Sequence, residues 1–268
     1  MKREEIMTTQ MRKEVHMTGQ DLMNMVQLRP KDVGKYALVP GPKERADAIV
    51  KKMKNPVKNF SFMEYTMSTG QYEGIPLTTI NGGRFAADTS ITTEILCNAQ
   101  VKAMIRVGSC GALREDIKVG DLVIATTALK GEGVTQYYVD KDFVPTADAQ
   151  LTQELTEVTQ KALKSPLALG RKVHVGCCWT TDAILRETRE NVGKAVAQGA
   201  IAVDMVTAAF LTICQSYKIP AAVLMAVSDN VMTGEMGFLN PGYYLAEASI
   251  VDIALSLIKE LELSKKAA

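Results

Sequence analysis

Histidine is scarce in this chain. Only His16 and His174 occur, and none of the cysteines forms a C-x-x-C pair, so the sequence offers no zinc-type ligand set and predicts no metal site. The cysteines Cys97, Cys110, Cys177, Cys178 and Cys214 are odd in number and lie mostly in apolar runs. That pattern fits buried free thiols in a reducing compartment better than a disulfide framework. An excess of either charge is also missing: Lys and Arg total 31 against 30 Asp and Glu, a net charge of +1. There is therefore no global field to draw the chain to nucleic acid or to a membrane, although a local basic site is still allowed. No apolar run reaches membrane-spanning length, and the opening residues Met1-Lys2-Arg3-Glu4-Glu5 have no signal-peptide character. The expected location is cytoplasmic.

What the chain does have is a core stretch, Met104-Ile105-Arg106-Val107-Gly108-Ser109-Cys110-Gly111-Ala112. Ala103 to Val107 is apolar apart from Arg106 and predicts a buried strand, with a turn over Gly108–Gly111. Small residues after a strand let a ligand come close to the backbone. Arg106 adds a fixed cation with five donors, and Ser109 adds a hydroxyl. Together they suit an oxyanion at the carboxyl end of a sheet, where open α/β folds bind ligands. The other reading is a satisfied core arginine beside an ordinary turn.

In chain order, residues 1–30 are polar and Met-rich and predict an N-terminal arm with one short helix. Its single imidazole, His16, reads by itself as an incidental surface group. Residues 31–268 predict one α/β domain: a mixed central β-sheet flanked by helices, with strands and helices alternating and no internal repeat or linker. Tyr36–Pro40 reads as a strand, followed by Gly41-Pro42-Lys43-Glu44-Arg45 and a helix over Ala46–Met53. A strand, a glycine and a helix start suit anion binding through free N–H groups and the helix dipole, with Arg45 reinforcing them. A hairpin is predicted from Phe62 to Asn81 about Glu73-Gly74, and helices over Ala86–Ala99, Asp148–Leu163, Glu187–Gln198 and Thr207–Ser216. A strand over Ala221–Val227 ends in Ser228-Asp229-Asn230, and an amphipathic helix over Tyr244–Leu261 closes the chain. His174 sits on a predicted strand, Val173–Cys178, as a bystander facing away from the core.

With these motifs placed, the chain resembles the nucleoside phosphorylases: purine nucleoside phosphorylase of the bacterial type, uridine phosphorylase and methylthioadenosine phosphorylase. The likeness rests on Ile105–Ala112 with Val119-Gly120-Asp121 behind it, on Val39–Arg45, on Val203-Asp204-Met205 followed by Thr207-Ala208-Ala209, and on Val227–Asn230. These matches run in family order from about His16 to the last helix. The resemblance implies a phosphate held by the Gly41 backbone, Arg45, Arg106 and Ser109, since guanidinium groups grip phosphate oxygens bidentately. It implies that Met205 packs against the sugar, with Ser228 beside the acid Asp229. It also implies that His16 meets the 5′-hydroxyl of a nucleoside in a neighbouring subunit. Asp229, with Arg106 the expected catalytic pair, would protonate or hydrogen-bond the departing purine at N7. An oxocarbenium-like sugar would be stabilised and attacked by the phosphate below it. The implied partners are a small-molecule nucleoside and inorganic phosphate as co-substrate, with no cofactor. A homo-oligomer built from dimers, a hexamer, is expected.

The chain departs from the family pattern in two places. The Glu that accepts the 2′- and 3′-hydroxyls is replaced by Val206, a loss on the order of 1.5–3 kcal/mol of sugar binding, with Asp204 as a possible substitute acceptor. The phosphate arginine that many members donate from a neighbouring subunit falls near Met63, where there is no cation, and Arg84 could replace its charge. The base is expected to be a purine: Asp182–Arg189 lacks the Gln and the Arg spacing with which uridine phosphorylases read uracil, and those relatives tend to lack the Ser-Asp pair. The leading expectation is phosphorolysis of a purine nucleoside to free base and pentose 1-phosphate by a pentosyltransferase lacking the ribose-binding Glu. The alternatives are a uridine phosphorylase, a hydrolytic nucleosidase of the same fold, and a catalytically weak nucleoside-binding relative.

Overall fold

The innermost strands of the central sheet are apolar on both faces, because helices cover both sides. Along β5 (Ala103–Ala112), Met104 and Cys110 point into one core while Ile105 and Val107 point into the other. β9 (Ala221–Asn230) alternates in the same way, with Val223, Met225 and Val227 against Ala222, Leu224 and Ala226. This period of two is the strand pleat itself. Arg106 shares its face with Met104, so the pleat alone sends the cation toward the first of the two cores.

The computed structural model describes residues 15–267. Helices α1 (Gly19–Met25), α3 (Ala86–Asn98) and α6 (Thr207–Ser216) supply Met23, Leu96 and Phe210 to one core. Helices α2 (Lys43–Val50), α4 (Ala149–Leu163) and α7 (Pro241–Ala267) supply Ile49, Leu155 and Ile250 to the other. α5 (Arg189–Ala197) packs Val192 and Ala195 into a smaller cluster with Val203. The sheet also contains β1 (Tyr36–Pro40), β2 (Lys54–Phe62), β3 (Tyr65–Tyr72), β4 (Ile75–Ile80), β6 (Leu122–Gly131), β7 (Val173–Thr181), β8 (Ala200–Asp204) and the short β10 (Glu235–Met236). Its order is β10-β9-β6-β7-β8-β5-β1-β4-β3-β2, and β9 also pairs with β5. That extra pairing closes β5, β9, β6, β7 and β8 into a ring. Parallel and antiparallel pairs both occur in it, so this is the single-domain α/β fold with a mixed sheet that the sequence predicts.

Four local expectations are corrected. The Gly108–Gly111 stretch is not a turn: β5 runs through it, pairing with β9 on one side and with β8 at Gly111 and Ala112. The missing side chain at Gly108 has a different use. The Arg106 guanidinium folds back over it, with Nη2 only 3.0 Å from where a Cβ would stand. β2 was not expected as a strand; it is an exposed edge carrying Pro56, Lys54 and Lys58, so it lacks an apolar alternation to read. The arm is not separate from the domain over its second half, because Met23 and Leu28 are buried in the main core; residues 1–14 lie outside the described residues. His174 is no bystander either: its Nε2 lies 2.9 Å from Asp121, which also accepts the Lys118 and Lys172 amides. The Glu73-Gly74 hairpin forms as expected, with both residues at positive φ. All five cysteines are free. No described helix is long and apolar enough to cross a membrane.

Candidate active site

Parallel pairing in register sets Val39 of β1 and Val223 of β9 on either side of Arg106. The chain leaves β1 through Gly41 and enters α2, whose third residue is Arg45. The carboxyl end of β1 and the middle of β5 therefore bring two arginines together, both about 95 % or more buried. Arg45 donates from Nη1 to the Val107 carbonyl (2.9 Å) and from Nη2 to Ser109 Oγ (2.9 Å), and it also pairs with Glu247. Arg106 donates from Nη1 to the Gly83 carbonyl (3.0 Å) and from Nη2 to Asp204 (3.3 Å). Burial lowers the Arg106 pKa, Asp204 raises it and nearby Arg45 lowers it further. Each guanidinium keeps a buried Nε–H without a partner. An unpaired buried donor on a cation is costly, and one on each arginine suits an incoming oxyanion.

Asp204 has a different place from the one expected of it. Its carboxylate accepts from the Thr207 amide and hydroxyl, the Thr180 hydroxyl, the Cys178 thiol and Arg106, and its side chain is 1 % exposed. No lone pair is left for a sugar hydroxyl, so Asp204 is not a ribose acceptor in this geometry. It positions Arg106 and the start of α6. Burial first, and then Asp204, push the Cys178 thiol up, so it donates as a neutral group. Val206 is 1 % exposed and packs in the core. Met205 beside it is only partly buried.

Asp229 lies at the end of β9, where a bulge opposite Cys110/Gly111 shifts the register. Its Oδ2 is 2.9 Å from where a Cβ on Gly111 would stand, so only glycine leaves room for the carboxylate there. The Ser228 hydroxyl shares its proton between Asp229 Oδ1 (2.7 Å) and the Cys110 carbonyl (3.1 Å). From Gly108, beneath the Arg106 guanidinium, to Gly111 beneath Asp229 is three strand residues, about 10 Å. His16 is exposed just before α1, and Met63 is exposed at the β2–β3 turn. Arg84 is exposed; its Cγ lies 3.8 Å from where a Cβ on Gly41 would stand, and its guanidinium lies over the Phe85 ring, 5.7 Å from the centroid.

Three residues at the site gave no sequence signal. Tyr243 and Glu247, four apart on α7, bring the Tyr243 hydroxyl to 3.2 Å from Ser109 and the Glu247 carboxylate onto Arg45. Burial pushes the Tyr243 phenol up, keeping it a neutral donor. Glu187 is the one residue of the 182–188 segment that is not exposed. Burial, and then the charge of Asp229, push its pKa up to about 7. The clearest hint available was the i, i+4 spacing of Tyr243 and Glu247, but that spacing does not say what the pair meets. A cavity of about 410 Å³ lined by Lys130, Trp179 and Lys194 lies elsewhere and includes none of these residues.

Two buried guanidinium groups with free donors, set at the carboxyl end of β1 and on its parallel neighbour β5 with a carboxylate at one side, define an α/β protein suited to an anionic co-substrate. The chain belongs to the Phosphorylase superfamily, whose profile matches residues 35–248. It is 29 % identical over 234 residues to a uridine phosphorylase of Thermococcus kodakarensis, covering 82 % of each chain. It is 30 % identical over 213 residues to a DeoD-type purine nucleoside phosphorylase of Bacillus cereus, covering 78 % of this chain and 88 % of that one. Among solved structures, a purine nucleoside phosphorylase from Toxoplasma gondii in complex with immucillin-H superposes with a TM-score of 0.78. It shares 21 % identity and covers 89 % of this chain and 96 % of its own. A uridine phosphorylase from Vibrio fischeri gives a TM-score of 0.77 at 23 % identity, covering 88 % and 95 %. The family is that of the nucleoside phosphorylases, which are pentosyltransferases.

Proposed function

We propose that this chain cleaves a purine nucleoside with inorganic phosphate, giving the free base and pentose 1-phosphate. The observation that carries this reading is the pair of unpartnered, buried Nε–H donors on Arg45 and Arg106. Phosphate, with nearly two charges and several acceptor oxygens, satisfies both at once, and a water molecule cannot neutralise them. Ser109, which accepts from Arg45, can donate to the same oxyanion, and the Gly41 backbone faces it with Arg84 nearby. The bound phosphate sits where it can attack C1′ and offset the charge growing on the sugar. Asp229, with Ser228 alongside, neutralises the departing base by giving N7 a proton or a hydrogen bond. The purine preference rests on this Ser-Asp pair and on the lack of a Gln in Asp182–Arg189.

Sugar recognition is weaker than in relatives with a Glu at the Val206 position, because Val206 accepts nothing and Asp204 is fully used. Assembly follows the same reading. A homo-oligomer of dimers, a hexamer, would bring His16 to a nucleoside in an adjacent subunit, with the exposed Met63 turn at the same junction.

The test is base release from a nucleoside panel with and without phosphate. Release that needs phosphate, and is nearly abolished in Arg106→Ala, is the expected result. Equal rates without phosphate would mean that water is the nucleophile and the protein is a nucleosidase. Binding without release in either buffer would leave a nucleoside-binding relative.

A further inference from the structure

Each of the two arginines already carries a carboxylate, and the two carboxylates are held very differently. Asp204, on Arg106, is fixed by Thr180, Thr207 and Cys178 as well, and is sealed from solvent. Glu247, on Arg45, has a side chain 28 % exposed, and Arg45 is the one ion-pair partner the structure gives it among the described residues. It lies on α7 one turn beyond Tyr243, whose hydroxyl is 3.2 Å from Ser109 Oγ. Arg45 Nη2 donates to that same Ser109 Oγ at 2.9 Å. The Glu247 carboxylate thus shares Arg45 Nη2 with the serine expected to meet the co-substrate. With both carboxylates in place, the charges of Arg45 and Arg106 are each matched by one carboxylate.

We infer that Glu247 is a displaceable competitor for the co-substrate: it occupies Arg45 in the empty site, and phosphate must drive it off to bind. This rests on the phosphorolytic reading above and goes further by naming the residue that sets phosphate affinity. A dianion cannot share Arg45 with a carboxylate at ordinary contact distance, since like charges there repel strongly in a partly buried setting. Of the two carboxylates only Glu247 can leave. It is partly exposed and releasing it breaks one ion pair, whereas releasing Asp204 would break a network. Glu247 is therefore a specificity-determining residue that weakens phosphate binding and leaves the bond-breaking step to other groups.

The test is inorganic phosphate binding by calorimetry to the full chain, unmodified and as Glu247→Gln, Glu247→Ala and Arg45→Met, with thermal melting to show that each is folded. Base release is measured in parallel as a function of phosphate. Glu247→Gln and Glu247→Ala should each bind phosphate at least tenfold more tightly, and the phosphate KM should fall by a similar factor while kcat changes less than threefold. Arg45→Met should lose the phosphate binding. A residue that merely braced α7 would lower the melting temperature and leave the phosphate KM unchanged or raised, which would overturn the inference. If that happens while base release still requires phosphate, the inference fails and the phosphorolytic reading stands. If no variant binds phosphate and base release ignores it, both fail.

Discussion

Arg106 on β5 and Asp204 at the end of β8 form an ion pair, 3.3 Å apart, between side chains only 4 % and 1 % exposed. The two residues are far apart in sequence and meet because β8 crosses back antiparallel to β5 at Gly111 and Ala112. Removing one partner of a buried pair leaves the other charge uncompensated, which costs about 3–5 kcal/mol. Asp204→Ala is therefore expected to lower urea-unfolding stability by that amount. The double variant Asp204→Ala with Arg106→Met should lose less than the sum of the two single changes, and a double-mutant cycle reads the difference. Strict additivity would show that the pair is not coupled.

Gly111 is a second point where a small change has a specific consequence. Gly111→Ala places a Cβ 2.9 Å from Asp229 Oδ2 and 3.1 Å from Val203 Cγ1. The carboxylate can rotate away more easily than the packed valine can shift, so the carboxylate proposed to meet the departing base is displaced. A fall of at least tenfold in kcat is expected, since general acid catalysis contributes about 10²–10⁴-fold. The proposed phosphate binding at Arg45 and Arg106 should change little. Unaltered kcat would mean that Asp229 does not need its present position.

Glu187 makes stability depend on pH in a way that can be worked out in sign. The folded chain holds its proton up to about 7, against an ordinary value of 4.5. Between those values the folded state binds more protons than the unfolded one, so stability falls as pH rises from 4.5 through 7. Below 4.5 there is no penalty, and above 7 it is complete. Because Glu187 is only half buried, solvent screening reduces the effect to about 1 kcal/mol. Unfolding of Glu187→Gln at pH 5 and pH 8, compared with the unmodified chain, should show this loss removed. Parallel pH profiles for the two proteins would place Glu187 in water, away from Asp229.

Sugar selectivity gives a fourth outcome. With Val206 unable to accept and every Asp204 lone pair in use, nothing at this segment reads the 2′-hydroxyl. The ratio of kcat/KM for adenosine or inosine over its 2′-deoxy form is expected to lie within about tenfold of unity, because no buried acceptor is left unpaired when the hydroxyl is absent. A ratio of 10³ or more would show that another group holds the hydroxyl.

The sequence by itself determined the alternation of strands and helices, β5 and β9 as strands, the β1–α2 turn with Arg45, Arg106 and Ser109 as residues worth placing and, through the family resemblance, Asp229. These are local matters: the pleat has period two, the helix period 3.6, and an arginine in an apolar run is visible wherever the chain goes. The tertiary structure alone decided what the charged groups do to one another. Asp204, open to a role at the sugar when read as a neighbour of Met205, is consumed by Arg106, Thr180 and Thr207 from three other elements. Val206, two residues on, packs in the core. Glu247 and Tyr243, on a helix whose pattern announces only an apolar face, close on Arg45 and Ser109 from 202 and 134 residues away. Glu187 gains its proton affinity from burial beside Asp229. Pairing and desolvation depend on distance in space, and along this chain the partners are separated by loops and crossovers that no local periodicity records.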